Sequence, residues 1–324
     1  MADKKSNNKV WTPEQRLNKQ IIFFILFTVL FAWPFVILGS VAHIDTTHFP
    51  LVFLAPLFSV GLTVFLTGEQ KCGYTPENAS SGIKLTVKPK DGVKYYLIAW
   101  LLPIVLGILG AALFFVVKGD YFAQPTFTSK FTKIIAFSLT GKVLYAGVFA
   151  LAMQAGWVAF LMPRLNERFG TVKAMVISGI AAGVWNWPVL FFQYKKVAPT
   201  ITSPTGEVLK TSSGYLYGVE YPGAPFTGFV AIIIYCFAMG VVLWWLYNKT
   251  ESILVTSLAA GSFKIMSSLP LLFLNVAAYT TRQFIYGPGI AGLIACVPLL
   301  VFACYLLATK QDEMNMTLNI LEQD

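Results

Sequence analysis

Apolar residues in this chain gather into long runs, with polar residues confined mostly to the intervals between them. Several runs reach the roughly 20 residues that a helix rising 1.5 Å per residue needs to cross about 30 Å of hydrocarbon. Eight spans are predicted, at about 21–42, 50–67, 95–117, 143–163, 174–192, 225–247, 252–273 and 285–308. The first follows a polar stretch carrying Lys4, Lys5, Lys9, Arg16 and Lys19. Its apolar part is too long, and too free of a small-residue cleavage site, for a removable signal peptide, so it reads as a retained anchor.

Composition agrees. Of 324 residues, 56% are hydrophobic and only 12% charged, and the mean hydropathy is +0.66, far from the quarter-charged surface of a soluble domain. The fold class is therefore all-α: a polytopic membrane protein with a cytosolic N-terminal segment (1–20), a transmembrane domain (21–308) and a cytosolic C-terminal tail (309–324).

Charge sets an orientation. With the N-terminus in the cytosol, the inner connections hold 15 of the 24 Lys and Arg residues: the five above, Lys71, Lys84, Lys88, Lys90, Lys94, Arg164, Arg168, Lys173, Lys249 and Lys310. The outer side holds seven, namely Lys118, Lys130, Lys133, Lys195, Lys196, Lys210 and Arg282, while Lys142 and Lys264 fall in or beside spans. The net charge of +9 thus belongs mainly to contact with anionic lipid headgroups. No basic soluble domain offers a surface for nucleic acid.

The remaining chemistry is sparse. Cys236, Cys296 and Cys304 fall within spans and Cys72 in an inner loop, which fits small apolar core residues better than a disulfide framework. Sequons at Asn78, Asn248 and Asn315 lie on the predicted inner side, so glycosylation is not expected. Residues 68–94 read as a cytosolic surface loop. Residues 193–224 form the longest outer connection, in which "TITSPTGEVLK" places a Ser-Pro-Thr-Gly turn between strand-like runs and predicts a hairpin over the outer face.

Ionisable residues inside a membrane are expensive and mark function by default. Here both histidines, His43 and His48, sit in the outer loop "VAHIDTTHFP", and every Asp and Glu lies outside the predicted spans. Peptide hydrolysis needs a positioned base or a metal, and metals need clustered His, Cys or carboxylate ligands. A His43, Asp45, His48 metal site is the one such arrangement the loop offers, and a plain solvated loop is the preferred reading. A Ser-Lys dyad would have only Lys142 or Lys264 as its base. No cofactor is expected.

One stretch nevertheless has the cadence of an enzyme motif: "MQAGWVAFLMPRLNERFG", residues 153–170. It is joined by "VWNWPVLFF" (184–192) and "TESILVTSLAAGSFK" (250–264) in the same order, and by the contexts "SGIKLTVKPKDGVKYYLIAWLLP" and "YPGAPFTGFVAIIIYCFAMGVVLWWLYNKT". Together, over roughly residues 81–265, they resemble the CPBP (Abi) family of intramembrane proteases, which includes CAAX prenyl endopeptidases and bacteriocin-associated proteins. The family's motifs are Glu-Glu-x-x-Trp-Arg followed by Leu-Pro-Arg-Leu, a Trp-His-x-Pro-x-x-Phe helix, and a Ser…His-x-x-x-Asn helix. The resemblance implies a helical membrane bundle in which a glutamate of the first motif activates water, while the histidines and the asparagine orient it and the oxyanion.

On that pattern the two acids fall on Met153 and Gln154, the arginine on Val158, the first histidine on Asn186, the second on Ala260 and the asparagine on Lys264. Every catalytic position is substituted, while Gly156, Trp157, Pro163, Arg164, Trp185, Pro188 and Gly261 match. The resemblance therefore implies a pseudoprotease that binds or scaffolds another membrane or envelope protein, in bacteriocin immunity or cell-wall maintenance. The alternatives are a receptor or transporter for a small anionic ligand, using Lys264 in the old cavity, and an active endopeptidase of the family.

Counted from the cytosolic ends of their spans, Gln154 lies about 15 Å deep, Asn186 about 18 Å, Ala260 about 14 Å and Lys264 about 20 Å. This common depth predicts a polar cluster in which Lys264 points inward to the side-chain carbonyls of Gln154 and Asn186. For Gln154 and Asn186, interhelical hydrogen bonding is the preferred role over ligand binding.

Overall fold

The computed structural model describes residues 11–41, 50–68, 85–88, 90–125, 127–188, 200–202, 208–210, 226–274 and 287–315. His43, Asp45, His48, Cys72, Asn78 and most of the 68–94 loop lie outside the described residues.

Each of the eight predicted spans contains a helix. In chain order these are α1 (Pro13–Val41), α2 (Pro50–Thr67), α3 (Lys94–Val117), α4 (Ser129–Leu139) running through α5 (Gly141–Gln154) and a π-helix (Ala155–Leu161) into α6 (Met162–Phe169), then α7 (Thr171–Pro188), α8 (Phe226–Thr250), α9 (Ile253–Ser268) and α10 (Val297–Thr309). Among the described residues, five helical stretches are able, by length and composition, to cross a membrane: Pro13–Gly39, Lys94–Val117, Ser129–Phe169, Gly228–Thr250 and Ile253–Phe273. Val52–Thr67 and Val297–Thr309 are shorter apolar helices.

The boundaries depart from the apolar runs where capping chemistry takes over. The α1 helix starts at Pro13, well before the predicted residue 21, because Thr12 and Gln15 form a reciprocal capping box: Gln15 N donates to Thr12 Oγ1 (3.2 Å) and Thr12 N to Gln15 Oε1 (3.3 Å). The fourth span is extended back to Ser129 by Thr128, whose hydroxyl accepts from Phe131 N (3.1 Å). The eighth is shortened. Residues 287–296 form turns around Gly287, Pro288, Gly289 and Gly292, and the helix begins only at Val297, with Pro298 in its first turn. The α6 helix ends at Gly170, whose φ of 77° is a left-handed conformation that glycine adopts without strain. The predicted hairpin is present as β1 (Thr200–Thr202) and β2 (Val208–Lys210), paired antiparallel with Ile201 opposite Leu209.

The helices pack through small residues, as expected where lipid removes most hydrophobic drive between them. A β-carbon on Gly261 would lie 2.5 Å from Val143 O and 2.7 Å from Gly147 N, so α5 and α9 are in backbone contact there. Gly179 and Gly183 likewise seat α7 against Phe237 and Ile233 of α8. The outer faces carry apolar side chains, among them Leu97, Leu101, Val105 and Val116 on α3 and Leu144 and Val148 on α5.

The chain after α10 does not leave the bundle at once. Met314 is fully buried, and its carbonyl accepts from Trp244 Nε1 (2.9 Å). Beside it, Glu313 bonds Lys310 (2.9 Å) and pairs with Lys249 (3.2 Å). The Lys310 hydrogen bond, assisted by those from Lys249 and Trp245, holds the Glu313 carboxyl below the usual glutamate range. Residues 310–315 thus clasp the end of α8, and Thr171 Oγ1 bonds Asn315 Oδ1 (2.6 Å) at the start of α7.

Candidate functional site

The first motif lies on an irregularity that its sequence does not advertise. Gln154 ends α5, and the next seven residues, Ala155–Leu161, wind as a π-helix before Met162 resumes the α-helix. Such wide turns are rare and recur at functional sites. Here the turn is buried throughout. Gly156 allows close approach of α1 and α2: a β-carbon there would meet Pro56 at 2.5 Å and the Phe24 ring at 3.1 Å. Trp157 meets Phe24 edge-on (5.5 Å between ring centres) and Trp185 of α7 at 6.1 Å. The first and second motifs are therefore brought together, aromatic against aromatic. Trp187 makes a separate pair with Trp33 at 6.3 Å.

Below the π-helix, Arg164 is fully buried. Its Nε donates to Gln20 Oε1 of α1 (2.9 Å) and its Nη1 to Phe160 O (2.8 Å), and the guanidinium lies 3.7 Å over the Phe160 ring. Arg168 continues the link, with Nε to Asn18 Oδ1 (3.0 Å) and an ion pair to Glu14 (2.7 Å). The Pro-Arg-Leu ending of the first motif thus fastens the π-helix to α1. The part played by Gln20 was not legible beforehand, since nothing in the α1 sequence marks a partner about 140 residues away.

The motif positions themselves divide. Gln154 and Val158 are buried, and Met153, Asn186 and Ala260 are half-buried. Asn186 Nδ2 donates to Ala182 O (2.8 Å), with Cys236 Sγ at 4.0 Å, so this amide turns back on its own helix and toward α8. Lys264 is exposed. Gly261 meets Val143 and Gly147, so Lys264, one turn further along the antiparallel α9, lies toward the Lys142 end of α5. Gln154 is then about 18 Å away along the helix axis.

The expected Lys264 to Gln154 hydrogen bond is not formed, and among the described residues Gln154 Oε1 has no partner. A common depth requires spans that start from one plane. The crossing of α5 and α9 at Gly147 and Gly261 offsets them. Lys142 is exposed as well.

Three buried polar atoms at this place lack hydrogen-bond partners among the described residues: Gln154 Oε1, Trp157 Nε1 and Trp185 Nε1. The site offers amides and indoles, with neither carboxylate nor imidazole at a motif position. That donor set does not fit a catalytic metal, and no group of three His, Cys, Asp or Glu side chains converges among the described residues. Cys236, Cys296 and Cys304 are free.

Residues 136–266 match the family model described as type II CAAX prenyl endopeptidase Rce1-like. No curated protein matches the chain. The matched segment contains the π-helix, α7, α8 and most of α9, that is, all three motif regions. Over these residues the chain is similar to the CPBP/CAAX protease family.

Proposed function

We propose that this protein is a catalytically degenerate member of its family that works by binding, as a scaffold or partner for another membrane or envelope protein. The observation that carries the reading is the contrast at the motif positions. Met153, Gln154, Val158, Asn186, Ala260 and Lys264 supply no carboxylate or imidazole, while the residues packing the same motifs, Gly156, Trp157, Arg164, Trp185 and Gly261, are buried in helix–helix contacts. A water-activating carboxylate and its orienting imidazoles act as a unit, so their joint loss removes the reaction and not merely its efficiency. Bacteriocin immunity and cell-wall maintenance are the settings that the resemblance favours, in a bacterial plasma membrane. An anionic-ligand receptor built on Lys264 is the weaker reading, because Lys264 lies toward the opposite end of α5 from Gln154, one of the amides meant to share the ligand.

A mild-detergent pull-down from the native membrane, followed by mass spectrometry, tests the binding role. A reproducible, stoichiometric envelope protein supports it. A retained metabolite with no protein partner contradicts it.

The same reading places both termini in the cytosol and residues 193–224 outside, following the 15 to 7 distribution of basic residues. In a chain with its native cysteines replaced, Thr205→Cys is expected to react with an impermeant thiol reagent in intact cells and Ile320→Cys is not. The reverse pattern would invert the topology.

A further inference from the structure

Lys142 and Lys264 are both exposed, and they stand on two stretches able to cross a membrane, Ser129–Phe169 and Ile253–Phe273. The α5–α9 crossing fixes their level. Lys264 is the twelfth of the 21 residues in Ile253–Phe273, roughly 16 Å from the Ile253 end at 1.5 Å per residue, which is near the middle of that stretch. A β-carbon on Gly261 would lie 2.5 Å from Val143 O, so Lys142, one residue before Val143, sits at nearly the same level.

The two lysines also share a side. At about 100° per residue, Lys142 is turned about 100° back from Val143 on α5, and Lys264 about 60° back from Gly261 on α9. Gly261 meets Val143 while Gly147 meets Ser257 and Leu258, so the helices are antiparallel, and rotations of one sense carry both side chains to the same flank of the seam.

That flank is ill suited to lipid. An ammonium facing hydrocarbon near mid-membrane is expensive, and a four-carbon stem is too short to carry it through half of a core about 30 Å thick. The helices packed around the pair do not supply the opposite charge, since α2, α3, α4, α5 and α9 contain no Asp or Glu.

We propose that this flank of α5 and α9 receives a transmembrane helix of a partner protein, one that carries an Asp or Glu carboxylate at mid-membrane. Charge complementarity selects that occupant, because ionisable side chains inside a membrane are paired with one another. Ala260, half-buried one turn from Lys264, is small enough for a helix to approach closely. The inference deepens the scaffold reading, and rests on it for the existence of a partner.

The test uses the full chain in phosphatidylcholine nanodiscs at neutral pH. The probes are dye-labelled Leu-Ala helices of about 21 residues with a single central Glu, Gln or Lys, and association is read by energy transfer to a dye on the protein. The Glu peptide is expected to bind about tenfold more tightly than the Gln peptide, and the Lys peptide least of all. The preference should vanish in the double variant Lys142→Gln/Lys264→Gln and persist in Lys142→Arg/Lys264→Arg. Equal binding of the Glu and Gln peptides would overturn the inference, as would a Glu preference that survives the double Gln variant. The peptide comparison needs only the wild type, so it holds even if a variant fails to fold. The native-membrane pull-down, repeated with the double Gln variant, separates this inference from the scaffold reading. A partner retained by wild type and variant alike keeps the scaffold role and removes this interface. No partner on the wild type, with the Glu preference intact, removes the scaffold role and keeps the interface.

Discussion

Gly261→Ala is expected to be among the most damaging single-methyl additions in the bundle, lowering stability by about 3 kcal/mol, the upper part of the overpacking range. The new β-carbon would sit 2.5 Å from Val143 O and 2.7 Å from Gly147 N. Both are backbone atoms of α5 and cannot swing aside as a side-chain tip would, so α5 and α9 must separate. Gly147→Ala, on the other side of the crossing, meets Ser257 O at 3.3 Å and should be milder. Gly240→Ala meets nothing within 4 Å and should be neutral or slightly stabilising. Thermal or denaturant unfolding of the three variants in one detergent checks the order. Equal effects would mean that the α5–α9 contact does not hold the fold together.

Arg164→Ala is the second large effect. Removing the guanidinium leaves Gln20 Oε1 and Phe160 O without two charge-assisted hydrogen bonds, each worth about 1.5–3 kcal/mol, and strips the packing over the Phe160 ring. A loss of about 3 kcal/mol or more is expected. Arg164→Lys should recover only part of it, since a compact ammonium cannot span the two acceptors and lie flat on the ring. The same unfolding measurement applies, and a fully stable lysine variant would contradict this account of Arg164.

Much of this was legible in the sequence, and the limits have identifiable causes. Each of the eight predicted apolar runs contains a helix because a membrane span must satisfy its backbone internally and face apolar surroundings. "TITSPTGEVLK" announced its hairpin through local turn chemistry. Helix ends were less visible, because Thr12, Thr128 and the Gly287–Gly289 turn set them by hydrogen bonds and conformation, which a hydropathy run does not weigh.

At the candidate site, Trp157 and Trp185 could be named as matching motif residues, though not as a contacting pair. The π-helix could not, since no proline or polar residue interrupts residues 155–161. Nor could the position of Lys264, because depth along a span is a property of one helix, and the offset of α5 against α9 is a property of two. Relative register is a long-range quantity, set here by where two glycines let the backbones touch.

The central claim, a family scaffold without its chemistry, is tested most directly by incubating the purified full-length protein, in lipid and with divalent metal supplied, with a prenylated CAAX-type peptide and with a membrane-embedded peptide, and following cleavage by mass spectrometry. No cleavage above the protein-free control is expected. Cleavage that is abolished by Gln154→Ala or Asn186→Ala would contradict the claim, because the activity would then reside in the very positions held to be inert.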